Sequence, residues 1–258
     1  VEKDSNIELD TQSYNEEISK ILYFQAHRNA DSLLQYLTAE NPNLRYHSAK
    51  AFGSFSNEKA SEFLINLLDD PEEEIRSMAA FALGQTRESD HVTSLIQAFD
   101  NHDSLRNNRK FNSAVLEAIG KTGGEDEMFL LSTISNYRPY DTLLLIGQMR
   151  GLLEFTDRGM MNDKTFQTLI NIAGNPLYSN SIKKYANYIL SRQDQFAIDS
   201  SFFQLNRAYN ATKDQELKKQ IIRSLKSCSR NACMEFYYKI IEKESKQQLR
   251  IAALDNLI

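Results

Sequence analysis

A ten-residue pattern that returns about every 35 residues constrains this chain more than any other feature. Residues 75–84 read IRSMAAFALG: an apolar residue, a base, small residues at helical spacing, then Leu and a helix-ending Gly. The same frame returns at 44–53 (LRYHSAKAFG), 111–120 (FNSAVLEAIG), 182–191 (IKKYANYILS), 217–226 (LKKQIIRSLK) and 249–258 (LRIAALDNLI). It ends at 53, 84, 120, 191, 226 and 258, so the gaps are 31, 36, 71, 35 and 32. The gap of 71 is two periods, with a degenerate copy at 147–156 between them. Seven units of one stacked architecture follow.

Between these segments lies a second amphipathic helix, marked by apolar triplets at i, i+3, i+4. They are Leu64, Leu67, Leu68; Val92, Leu95, Ile96; Phe166, Leu169, Ile170; and Tyr237, Ile240, Ile241. Each unit is therefore a helical hairpin, and all-α is the fold class. The prolines agree, because Pro inside a helix loses a hydrogen bond and clashes with the preceding turn. Pro42, Pro71, Pro139 and Pro176 all fall between the two helices of a unit. Pro71 follows Asp69 and Asp70 and precedes Glu72 to Glu74, which suits a helix start with Pro in its first turn. The small residues Ala49, Ala51, Ala79, Ala80, Ala82, Ala114 and Ala118 let stacked helices approach to roughly 8–10 Å. A helix at about 14–27, with Ile18, Ile21, Leu22 and Phe24 apolar, precedes the first hairpin and caps it. Gly123, Gly124 and the acids Glu125 to Glu127 read as a turn and an acidic helix start.

The longest apolar runs, such as 63–68 and 143–146, fall far short of the roughly 20 residues of a membrane-spanning helix. Thirty Lys and Arg against 35 Asp and Glu give a net charge of -5, which offers no global attraction for nucleic acid. Residues 1–13 are acidic and polar and read as a solvated lead-in or tether, leaving 14–258 as a single repeat domain. The sequence opens on Val1 with no charged segment followed by an apolar one, so any targeting segment is expected ahead of it. Residues 249–258 form a strong helical pattern without a stop signal, from which the natural chain is expected to continue.

The frame resembles HEAT repeats of the short bacterial type first associated with phycobilin lyases, whose pattern is an apolar residue, Arg, two variable positions, Ala, Ala, then Ala, Leu, Gly. Residues 75–84 match it almost position for position, and Arg45 and Arg76 stand at its base. From Gly147 onward Ser191, Lys226 and Ile258 replace the Gly, and spacing carries the assignment. The resemblance implies a right-handed α-solenoid of about seven hairpins, whose second helices line a concave, partner-binding face. More narrowly, residues 21–57 resemble the start of bacterial cell-envelope proteins in which HEAT repeats precede a cyclophilin-type peptidyl-prolyl isomerase domain. That resemblance implies a periplasmic or envelope-associated setting, with a signal or lipid anchor ahead of Val1, rather than a cytoplasmic one. The Arg, Phe and Gln residues of a cyclophilin site have no counterpart, so this chain would be the arm without the enzyme.

Of the histidines His27, His47, His91 and His102, none makes an HxxxH or HExxH pair, so no metal is expected at them. Cys228 and Cys233 have four residues between them rather than two, which is neither a redox nor a zinc motif. Two separate thiols are expected; a small-loop disulfide would need an oxidising compartment. Phosphate-binding and nucleophile-elbow strings are absent, and Lys121 after Gly120 lacks the strand and loop of a phosphate cradle. The acids at 69–74 and 125–127 lack the spaced ligands of a calcium loop. No cofactor is implied. A HEAT-like DNA glycosylase would need a basic, aromatic-lined groove, which the charge and the lack of Trp disfavour. A bilin lyase shares only the repeat type, which does not carry function.

If Ile75, Met78, Ala79, Ala82 and Leu83 face the core, frame positions 77 and 81 turn outward. Down these columns run Tyr46 and Lys50, Ser77 and Phe81, Ser113 and Glu117, Lys184 and Tyr188, Lys219 and Arg223, Ile251 and Asp255. Tyr46, Phe81 and Tyr188, flanked by Lys50, Lys184, Lys219 and Arg223, have the aromatic and basic character of interface anchors. The expected function is a non-enzymatic scaffold that binds an extended or acidic polypeptide there. The alternative is the substrate-positioning arm of a larger envelope isomerase whose catalytic domain lies beyond residue 258.

Overall fold

A computed structural model describes residues 11–100, 103, 106–134, 139, 141–193, 196 and 198–257. His102 and most of the lead-in lie outside the described residues. Every regular element among the described residues is helical, and none is long and apolar enough to cross a membrane. Helix α1 (Thr11–Ala26) comes first. Seven hairpins follow in chain order: α2 (Ala30–Leu34) with α3 (Pro42–Phe52), α4 (Glu58–Asn66) with α5 (Glu73–Thr86), and α6 (Val92–Ala98) with α7 (Arg109–Thr122). Then come α8 (Glu125–Thr133) with α9 (Thr142–Asp157), α10 (Asp163–Gly174) with α11 (Asn180–Ser191), α12 (Phe202–Ala211) with α13 (Gln215–Ser224), and α14 (Asn231–Lys243) with α15 (Gln247–Asp255). The degenerate copy at 147–156 lies inside α9, so the period read from the sequence is complete.

The chain clusters into two compact units that divide after Ala118. In the first, α1, α3 and α5 pack in succession while α2 packs on α4. In the second, α9, α11, α13 and α15 form one row of neighbours and α8, α10 and α12 another. Local chemistry starts many of these helices. The side chains of Asn29, Asn41, Asn57, Asn162, Ser179 and Asp214 each accept an N–H of the first turn that follows, satisfying a donor the helix leaves open. Ala49, Ala51, Ala79, Ala80, Ala82 and Ala118 are buried as expected, with Ala114 half-buried.

Two local expectations change. Helix α5 begins at Glu73 with Glu72 as its cap, so Pro71 lies in the preceding bend and not in the first turn. The Asp70 carboxylate closes that bend by accepting the Glu72 N–H at 3.0 Å. Of the frame glycines, Gly53 caps α3 as expected, but the other two do not end their helices. Gly84 and Gly120 lie within α5 and α7, and α5 stops two residues after Gly84, where Arg87 takes a left-handed φ of 58°. Their smallness serves packing: a Cβ on Gly120 would run into the main chain of Gly151, and one on Gly53 would stand 2.8 Å from the Phe81 ring.

The frame's base also acquires a reason. Arg45 lies in the first turn of α3, and its guanidinium reaches back to the carbonyls of Ala39 and Glu40 at 2.9 and 2.8 Å. With its other edge it holds Asp70 of the next hairpin in a bidentate pair at 2.7 and 3.2 Å. Arg76 repeats the device on the carbonyls of Asp70 and Pro71, on the Asn108 amide at 2.6 Å, and over the Phe111 ring.

Candidate functional site

The columns read from the sequence are outward-facing, with one exception. In the first unit Lys50 is exposed, Tyr46 is half-buried, and Phe81 is 37% exposed with its ring over the gap left by Gly53. Ser77 is half-buried, and its hydroxyl donates to the Glu73 carbonyl. Ser113 is the exception: it is buried, so the column passes into the core at α7. Burial, together with the charge of Lys50, lowers the His47 pKa and favours its neutral form.

In the second unit Tyr188 is 39% exposed, and the Arg192 guanidinium lies over its ring at 5.5 Å. Arg192 is itself anchored on Asp157 at 2.6 Å, which raises its pKa. Lys184 pairs with Asp214 at 2.7 Å and Lys219 with Glu216 at 2.8 Å. Each lysine lowers the pKa of the carboxylate it binds. Two of the bases expected to meet an acidic partner thus already hold carboxylates of their own chain. Arg223, Ile251 and Asp255 are exposed.

The other candidates settle locally. His27 bonds the Tyr23 carbonyl and the buried His91 bonds Thr86, far apart in the chain. Among the described residues no three His, Cys, Asp or Glu side chains are grouped as a metal site. Glu127 folds back on the Gly124 N–H at 2.7 Å, which is the acidic helix start foreseen there. The cysteines are a correction. Cys228 and Cys233 are joined in a disulfide rather than standing as separate thiols. Cys228 follows a helical turn at 225–227, and Cys233 lies in the first turn of α14; the bend between them brings the Cα atoms to 6.2 Å, within bridging range. A spacing rule for redox and zinc motifs does not see that bend.

Sequence reasoning missed two concavities of the second unit. One, of about 470 Å³, lies between α12 and α14 and is lined by Phe202, Tyr209 and Phe236, with Lys218 4.7 Å from the centre of the Tyr209 ring. Burial, helped by Glu244, pushes the Tyr209 hydroxyl up to about 12. The other, of about 410 Å³, lies where α10, α11 and α12 end or begin and is lined by Lys183, Arg207 and Lys213. The signal for both was in the frame, since Lys183 and Lys218 occupy the position of Arg45 and Arg76.

Residues 30–109 match the family model described as HEAT repeats. The matched stretch holds the first two hairpins whole, the first helix of the third, and both arginine clamps. No curated protein matches the chain. Among solved structures, the complex of CpcE and CpcF of phycocyanin lyase from a Nostoc species is similar over 98% of this chain and 91% of that one, at 18% identity and a TM-score of 0.47. Human deoxyhypusine hydroxylase is similar over 92% and 96%, at 13% identity and a TM-score of 0.41. An engineered protein is similar over 77% and 97%, at 14% identity and a TM-score of 0.47. Likenesses this distant carry nothing about the chemistry of this chain.

Proposed function

We propose that this chain is a binding scaffold that acts by holding a polypeptide and not by catalysis, and that the outward columns of its second helices make the contact. The observation that carries the reading is the part-exposed aromatic pair, Phe81 in one unit and Tyr188 in the other, each with bases on the same face. Large aromatics left open beside Arg and Lys are what contact surfaces use as anchors. Because Lys184 and Lys219 already hold Asp214 and Glu216, a partner's carboxylates only exchange with these, and the aromatics carry most of the affinity. The envelope-isomerase arm rests solely on the resemblance of residues 21–57 and gains no further support.

The test is photo-crosslinking from positions 81 and 188 in the source cells, with position 177 as a control, because Leu177 is exposed and lies off the columns. The reading expects one polypeptide captured at 81 and 188 but not at 177, and its capture lost in the Phe81→Ala/Tyr188→Ala variant. Equal capture at all three positions, or capture indifferent to that variant, sinks it. Reversing Lys184, Lys219 and Arg223 to Glu together weakens binding less than the aromatic pair does.

A further inference from the structure

At Arg45, Arg76 and Lys218 the half-buried base of the repeat frame binds within its own chain, and at the equally half-buried Lys183 it does not. Arg45 holds Asp70, Arg76 holds Asn108 and two carbonyls, and Lys218 lies on Tyr209. Lys183 makes no hydrogen bond or ion pair from its ammonium among the described residues. The reason lies at the acid position. Asp70 stands five residues ahead of Ile75 and closes its bend on the N–H of Glu72, two residues on. Glu244 stands five ahead of Leu249 and closes the same bend on Lys246. Five ahead of Leu217 stands Thr212, whose hydroxyl closes that bend on Asp214 at 3.2 Å but carries no charge. The turn is kept and the acid is gone.

What remains is a cavity of about 410 Å³ lined by Lys183, Arg207, Lys213, Asn180, Thr212 and Pro176 among others, with no acidic residue in its wall. Asp214, the carboxylate whose charge acts on Lys183, is held by Lys184 at 2.7 Å and by the N–H of Leu217 at 3.0 Å. Arg207 and Lys213 flank the C-terminal end of α12, where the helix dipole welcomes a cation. Lys183 has no such excuse. It is the fourth residue of α11, at the positive end of a twelve-residue helix, and it is half-buried. Burial lowers its pKa, against the opposing pull of Asp214.

We infer that this cavity binds a phosphate monoester, whose dianion supplies the counter-charge that Thr212 does not. Three cations in one wall match a dianion better than a single carboxylate. The volume falls within the roughly 300–1,000 Å³ of small-ligand sites and leaves room for the organic group behind the phosphate. The site is independent of the aromatic columns and stands or falls without them.

Phenyl phosphate, inorganic phosphate and a phosphoserine hexapeptide are titrated into the full chain by calorimetry, with two-dimensional NMR to locate the response. Saturable one-to-one binding is expected for phenyl phosphate or the peptide, and whichever binds tighter identifies a small ester or a modified chain as the source. Lys183→Met and Arg207→Gln each weaken it at least tenfold. Thr212→Asp, which restores the acid of the repeat, abolishes it while the melting temperature holds or rises, so a folding defect cannot mimic the result. Absence of saturable binding by all three probes, or binding unchanged in Thr212→Asp and Lys183→Met, overturns the inference.

Discussion

The repeat frame puts a base at the same place in hairpins of both units, and these hairpins use it differently. In the hairpins ending at Gly53 and at Thr86 the base is arginine. Its planar fork reaches two carbonyls behind it and a side chain of the next hairpin at once, so successive hairpins are tied by charge-assisted bonds. In the hairpins ending at Ser191 and at Ser224 the base is lysine, a point charge on a flexible stem, and it makes no such double reach. There the buried ties between hairpins are neutral pairs, such as Ser132 with Thr165 at 2.6 Å and Ser224 with Asn187 at 2.9 Å, and the ion pairs Lys184–Asp214 and Arg192–Asp157 lie nearer the surface. The lesson is that one repeat can hold its register by a ladder of ions or by scattered hydrogen bonds. Where the ladder lapses, charged side chains and cavities become free for other work.

Glycine substitutions break the comparison most severely. Gly120→Val forces two helix backbones apart at Gly151 and is expected to cost more than about 3 kcal/mol in urea unfolding, whereas Gly53→Ala displaces only the Phe81 ring and costs about 1 kcal/mol. Equal costs would show that the glycines serve the same purpose in both units. Next comes the ladder itself. Arg45→Ala strands Asp70, whose side chain is only 3% exposed, and lowers stability by about 3 kcal/mol; Lys184→Met, which removes the lysine of a pair exposed at 33% and 25%, costs under about 1 kcal/mol. A loss from Lys184→Met as large as that from Arg45→Ala would refute the distinction between the units.

Reduction of the Cys228–Cys233 bridge sharpens the contrast by region. Opening so small a loop lowers stability by about 2 kcal/mol, and the loss should appear as faster amide exchange in α13 and α14 with α3 and α5 unchanged. The smallest effect is a pH dependence. Lys184 lowers the Asp214 pKa below its ordinary 3.8, so the stability this pair contributes is complete above that value and is lost as pH falls through the lower, folded one. Acid titration of unfolding should therefore show a loss below pH 4, under about 1 kcal/mol, that vanishes in Lys184→Met.

Much of this was legible because helical periodicity and hairpin length are local. The seven units, the degenerate copy inside α9 and the exposure of Phe81 and Tyr188 follow from spacing alone. What spacing hid was always a relation between hairpins. Gly84 reads as a stop signal in sequence, yet α5 runs past it. Lys184 and Lys219 read as free bases until Asp214 and Glu216 are seen beside them. Ser113 reads as a member of the outward column and is buried.

The sequence by itself determined the class of fold and the order of its elements, since a repeated amphipathic pattern that cannot cover its own apolar face must stack. Only the tertiary structure decided which charges are spent and which are spare. A side chain's partner depends on what the next hairpin brings to within about 3 Å of it, and that distance is set by packing. At Arg45 the neighbour brings Asp70; at Lys183 it brings Thr212, and the charge is left over.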